Sequence, residues 1–108
     1  MTDSKILSDY IVKFKGRREY FIADRIECRD GFSVSVQAHP GAYCRPRDGM
    51  YPWDAFECGF PSAPVPEWSV RKDGDGDDEK SVFGYIDARD IMNVIRSHGG
   101  AECLEMKS

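Results

Sequence analysis

The stretch FSVSVQA, residues 32–38, alternates without a break: Phe32, Val34, Val36 and Ala38 point one way, Ser33, Ser35 and Gln37 the other. A period of two with one polar face is what an extended strand shows when a core covers one side and water wets the other. Antiparallel sheets tolerate a half-wet face, whereas all-parallel sheets are covered on both sides. The stretch therefore predicts an antiparallel sheet.

Neighbouring segments fit that frame. DYIVKFK, residues 9–15, alternates on one register and runs into GRR, which reads as a first strand and a turn. REYFIADRIEC, residues 18–28, sets Tyr20, Ile22, Ile26 and Cys28 on one face, with Asp24 breaking the pattern as at a bulge or an edge. Asp30-Gly31 then supplies turn chemistry. DAFECGF, residues 54–60, resumes alternation through Phe56, Cys58 and Phe60. SVRKD and SVFGYI read as two strands joined by the polar stretch between them. PSAPVPEW, with Pro61, Pro64 and Pro66, excludes regular structure before them.

Near the end the period changes. Asp87 can cap a helix on which Ile91, Val94, Ile95 and His98 recur at i, i+3, i+4 and i+7, until Gly99-Gly100 stops it. His98 there reads as a partly buried helix-end residue favoured by the dipole. A chain of 108 residues, 41% hydrophobic, can bury one core. The expectation is one α+β domain: a twisted antiparallel sheet of about five strands, with one C-terminal α-helix packed on a face, and residues 1–8 and 101–108 frayed.

Between His39 and Asp54 neither period survives. Tyr43, Tyr51 and Trp53 predict an ordered loop, because disordered segments are poor in aromatics. Arg45 and Arg47 add charge to it. Arginines beside aromatics are the material of single-strand nucleic-acid binders. The net charge of −4 opposes that use, and residues 51–108, with six Lys/Arg against twelve Asp/Glu, hold the acidity. The alternative is that the aromatics pack beneath the loop while the arginines solvate it.

The acidity peaks at RKDGDGDDEKS, where Asp73, Asp75, Asp77, Asp78 and Glu79 fall within seven positions. DGDGD matches the first ligand positions of a calcium loop. Asp78 stands where the sharp-turn glycine is required, however, and Gly84 where the bidentate glutamate is required, so the motif fails twice. Zinc needs ligand pairs at short spacing, and His39 with Cys44 offers at most half a site, to be completed by Cys28, Cys58 or His98. Cys44 beside Arg45 and Arg47 is the one candidate nucleophile, with His39 or His98 as base, yet no catalytic motif surrounds it. No cofactor, metal ligand or catalytic residue is assigned. Like charges so close repel, so the cluster is either a hydrated turn or a surface for a basic partner.

MTDSKILSDYIVKFK lacks the apolar run of a signal peptide, and no segment approaches the roughly 20 apolar residues of a membrane span, which predicts a cytoplasmic protein without membrane attachment. Its four cysteines are then expected as free, partly buried thiols.

GAYCRPRDGMYPWDAFECGFPS and YIDARDIMNVIRSHGG resemble short proteins carried by bacteriophages and prophages, over roughly residues 32–100. Among these the chain is similar to the small, acidic, single-domain anti-CRISPR proteins. That resemblance implies a non-catalytic inhibitor in the bacterial host cytoplasm that binds a host CRISPR–Cas effector protein or complex, type I favoured, and occupies the basic surface where target DNA would lie. No direct nucleic-acid binding is expected, and the chain would act as a monomer or weak dimer. The class shares no motif, so the site residues come from the charges and aromatics alone: Asp73, Asp75, Asp77, Asp78 and Glu79 as DNA-mimicking acidic contacts, and Tyr43, Arg45, Arg47, Tyr51 and Trp53 as loop anchors. The competing expectation is a small nucleic-acid-binding phage accessory protein that uses loop 39–60.

Overall fold

The computed structural model describes residues 2–15, 23–48 and 50–105. The chain opens with helix α1, Asp3–Lys15, where a strand was expected over residues 9–15. Two periods compete in this segment. Leu7, Tyr10 and Ile11, at i, i+3 and i+4, are buried while Val12 is exposed, so the helical stripe wins over the alternation of Tyr10, Val12 and Phe14. The Thr2 hydroxyl accepts the Lys5 amide at 3.2 Å and caps the first turn. Residues 3–8, expected to fray, are the first turns of this helix, with Leu7 and Ser8 fully buried.

Four strands follow in an antiparallel sheet of order β1-β2-β3-β4: β1 Ile26–Glu27, β2 Ser33–Gln37, β3 Ala55–Gly59 and β4 Val82–Asp87. Of the strand expected over 18–28 only β1 forms among the described residues, and residues 18–22 lie outside them. The register aligns Val36, Cys58 and Phe83 in one row and Phe56 with Ile86 in the next, all buried. These side chains join the apolar faces of α1 and of α2, Ala88–Ser97, in one hydrophobic core, the arrangement of a single α+β domain. On the opposite face the register pairs Gln37 with Glu57 and Ser35 with Gly59. Gln37 is nonetheless buried. Its amide accepts from Ala23 N at 2.8 Å and donates to Ala23 O at 3.0 Å, so the side chain pairs with a backbone as a strand would.

SVRKD is not a strand. Pro66–Arg71 coils into a 3-10 turn with a proline at its start, where the missing amide costs nothing, and Trp68 buries beneath it, edge-on to Phe83 at 5.7 Å. Only the end of SVRKD reaches the sheet edge, where Lys72 bridges Phe83 and the Asp73 amide meets Val82. Beyond β4, Ile91, Met92, Val94 and Ile95 bury along α2. Asp87 stands at its N-cap but makes no capping bond, because its carboxylate accepts from Arg45 instead. His98 ends the helix, paired with Asp30 at 2.7 Å and stacked on Phe32. The chain continues packed through a turn at Glu102–Leu104, with Ala101 and Leu104 buried, while residues 106–108 lie outside the described set. Among the described residues no helix is long and apolar enough to cross a membrane.

Candidate functional site

The acidic stretch wraps around one ammonium. Lys72 Nζ donates to Gly76 O at 2.8 Å and pairs with the Asp78 carboxylate at 3.1 Å, where both side chains are largely shielded, 20% and 12% exposed. The second oxygen of Asp78 accepts the amide of buried Val65 at 2.8 Å. The Val65 amide, and after it the Lys72 ammonium, hold the Asp78 carboxyl below the usual carboxylate range. The far end is tied as well: Ser81 Oγ donates to Asp77 O at 2.7 Å, and Asp73 N to Val82 O at 2.9 Å. Asp78 is therefore a fastener, and does not face outward as the sequence suggested. Asp73, Asp75, Asp77 and Glu79 are exposed. The result is a fixed loop presenting four carboxylates to solvent.

The five loop residues do not form one surface. Trp53 is 2% exposed and belongs to the core, edge-on to Phe56. Its backbone is held at both ends by one side chain, since Ser8 Oγ donates to Trp53 O at 3.1 Å and accepts from Trp53 N at 3.0 Å. Tyr51 lies on α1, its hydroxyl between Lys5 and Asp9, each at 2.8 Å. Arg45 is spent internally on Asp54 at 2.6 Å and Asp87 at 2.8 Å, and these pairs raise its pKa, Asp54 first. The packing alternative thus describes Trp53, whereas Tyr51 rests against α1 and stays 43% exposed, and Arg45 is a brace. Arg47 stays exposed, lying over the Tyr85 ring at 5.6 Å and hydrogen-bonded to its hydroxyl.

Tyr43 crosses the sheet at an irregularity. Between the pairs Phe56–Ile86 and Cys58–Phe83, β4 carries one residue more than β3, and Tyr85 there takes a positive φ of 57°. The Tyr85 amide donates to Tyr43 O at 3.0 Å, while the Tyr43 amide donates to the Glu57 carboxylate at 3.1 Å. A Cβ on Gly84 would stand 3.1 Å from that of Tyr43, so the glycine admits the close approach. A groove of about 330 Å³ opens here between residues 70–73 on one side and Tyr43, Gly84 and Tyr85 on the other. It brings Tyr43 and Asp73, thirty residues apart in sequence, to one place. Val70, Arg71, Gly84 and Tyr85 were missed in the sequence. The signal available for them was a glycine inside a strand pattern, which marks a bulge or a close backbone approach.

The remaining chemistry is quiet. Burial raises the Cys44 thiol, and its sulfur lies 3.5 Å from the backbone oxygen of His39, while the imidazole accepts from Gly41 N. Cys28, Cys44, Cys58 and Cys103 are free thiols, the first three buried. Among the described residues no group of three His, Cys, Asp or Glu side chains is placed to hold a metal ion. Comparison with protein-family models, curated proteins and solved structures gives no match to this chain.

Proposed function

We propose that this chain is a non-catalytic binding protein that docks on a Lys/Arg-lined surface through Asp73, Asp75, Asp77 and Glu79. The observation that carries the proposal is the fastening of their loop by Lys72, Asp78 and Val65, which lets the loop present negative charge without ordering itself first. In keeping with the resemblance to anti-CRISPR proteins, the partner is a host CRISPR–Cas effector protein or complex, type I favoured, in the bacterial cytoplasm. Carboxylates standing where phosphates would lie then exclude target DNA by competition, with the inhibitor acting as a monomer or weak dimer. The alternative, direct nucleic-acid binding, retains Arg47 and Tyr43 but loses Arg45, whose charge two aspartates already neutralise.

The test is a pull-down from a CRISPR-bearing host lysate, followed by association kinetics of the captured partner with the parent and with an Asp73→Asn/Asp75→Asn/Asp77→Asn/Glu79→Gln variant. Amides keep the shape and remove the charge, so the variant should associate about tenfold more slowly at low salt, with a flatter salt dependence. Equal rates at low ionic strength would sink the acidic-contact reading. A tight low-salt gel shift with plain DNA or RNA would favour the alternative.

A further inference from the structure

We infer that Cys103 is a site of thiol modification and that Cys28 resolves it, so that a small-molecule disulfide converts the pair into a cross-link between the end of β1 and the C-terminal turn. The inference is independent of the acidic loop and of its partner. Backbone contacts bring the two residues together. Arg29, next to Cys28, donates its amide to Gly100 O at 2.9 Å and its guanidinium to Gly99 O at 3.0 Å, and pairs with Glu105 at 2.6 Å. Cys103 lies inside the stretch that these bonds hold. The turn Glu102–Leu104 packs against β1 and α1. There the Cys103 sulfur is hydrogen-bonded by the Tyr10 hydroxyl and by the backbone of Glu27, the residue before Cys28. A sulfur bonded to the backbone at residue 27 stands one residue from the second thiol, as the short span of a disulfide requires.

Exposure assigns the roles. Cys28, Cys44 and Cys58 are buried and Cys103 is exposed, so of the four only Cys103 meets a solute. Shielding of its sulfur raises the Cys103 thiol, while the bonds from Tyr10 and the backbone oppose that rise by favouring the thiolate. Burial, then the charges of Asp30 and of Cys103 itself, push Cys28 up to about 11. The Cys103 thiolate attacks one sulfur of the small disulfide, expels one small thiolate and keeps the other half as a mixed disulfide. The Cys28 thiolate then attacks the Cys103 sulfur and expels that half. The small disulfide is reduced by two electrons, the cysteine pair is oxidised by two, and the two cysteine protons end on the two thiols released. Because both thiols are raised, the exchange quickens as pH rises above neutrality.

The experiment incubates the full-length chain with oxidised glutathione at about pH 8.5, near the ordinary thiol value, and reads non-reducing digests by mass spectrometry. The expected product of the parent is the linked pair of peptides that contain Cys28 and Cys103. Cys28→Ser should stop at one glutathione on Cys103, and Cys28→Ala serves in its place if serine unfolds this buried position. Cys103→Ser should react at least about tenfold more slowly than the parent, since its remaining thiols are buried. The link closes a loop of roughly 75 residues, so the oxidised parent should melt about 5–15 °C above the reduced one. Glutathione that persists on Cys103 of the parent without a cross-link would overturn the resolving role of Cys28. Links to Cys44 or Cys58, or equal oxidation of Cys103→Ser, would show thiols reached by unfolding and overturn the site. A Cys28–Cys103 link that lowers the melting point would overturn the juxtaposition in the native fold.

Discussion

Removing the carboxylate of Asp78 tests whether the acidic loop is built or merely hydrated. Asp78→Ala takes the acceptor from the amide of Val65, a residue 2% exposed, and the counter-ion from a Lys72 side chain only 20% exposed. A hydrogen bond to a charged group contributes about 1.5–3 kcal/mol, and a shielded amide left bare adds to the loss, so about 2–4 kcal/mol is expected. Asp78→Asn keeps an oxygen for Val65 and loses only the charge, for about 1 kcal/mol. Against a total of about 5–15 kcal/mol for a domain, the alanine variant should melt roughly 10–20 °C lower. The assay is urea and thermal unfolding by circular dichroism at neutral pH, repeated at pH values below the ordinary carboxylate value of 3.8. The folded-state pKa of Asp78 is depressed. Its charge therefore stabilises the fold above the unfolded-state value, and that contribution is lost as pH falls through the lower folded-state value. The gap between parent and Asp78→Asn should accordingly close in acid. An alanine variant that melts with the parent at neutral pH would refute the fastening, and with it the reason for excluding Asp78 from the four neutralised contacts.

Two further perturbations address the body of the fold. Ile95→Asp puts an unpaired charge into a position 1% exposed on α2 and should abolish cooperative unfolding, since the cost is on the order of the whole stability; a native-like melting curve would detach α2 from the core. Ser8→Ala removes the hydroxyl that bonds both backbone groups of Trp53, at a cost of about 1–3 kcal/mol, and should speed proteolysis of the loop before Trp53, a change that limited digestion reads directly.

Legibility in the sequence followed how local each element's cause is. β2, β3 and the stripe of α2 were readable because burial on one face writes its own period over five to ten residues. α1 was misread because β-branched Ile11 and Val12 suit a strand. The helical stripe begins earlier, at Ile6-Leu7, within a terminus whose length alone suggests fraying. The turn at Pro66–Arg71 hid behind its prolines, although a proline at a first helical position is permissive. The loop through Tyr43 and Trp53 has no period to find, because its order comes from Ser8, Lys5 and Tyr85, distant in sequence, and from Glu57 on the strand that follows. For the same reason the exposed carboxylates were legible as a class, while the fastening role of Asp78 depended on Lys72 and Val65 meeting in space.

The clasp of Ser8 on Trp53 also bears on how the chain matures on the ribosome. Ser8 finds its partner 45 residues later, Lys5 reaches Tyr51 across 46, and Asp3 meets Arg96 across 93. α1 is synthesised well before any of these arrive, and a helix of 13 residues is marginal alone in water. Its apolar stripe packs against α2 and the turn at Glu102–Leu104, so those covers are the last parts of the described chain to be made, and such long-range closure is intrinsically slow. A chain stalled before residue 88 would leave that stripe without either cover.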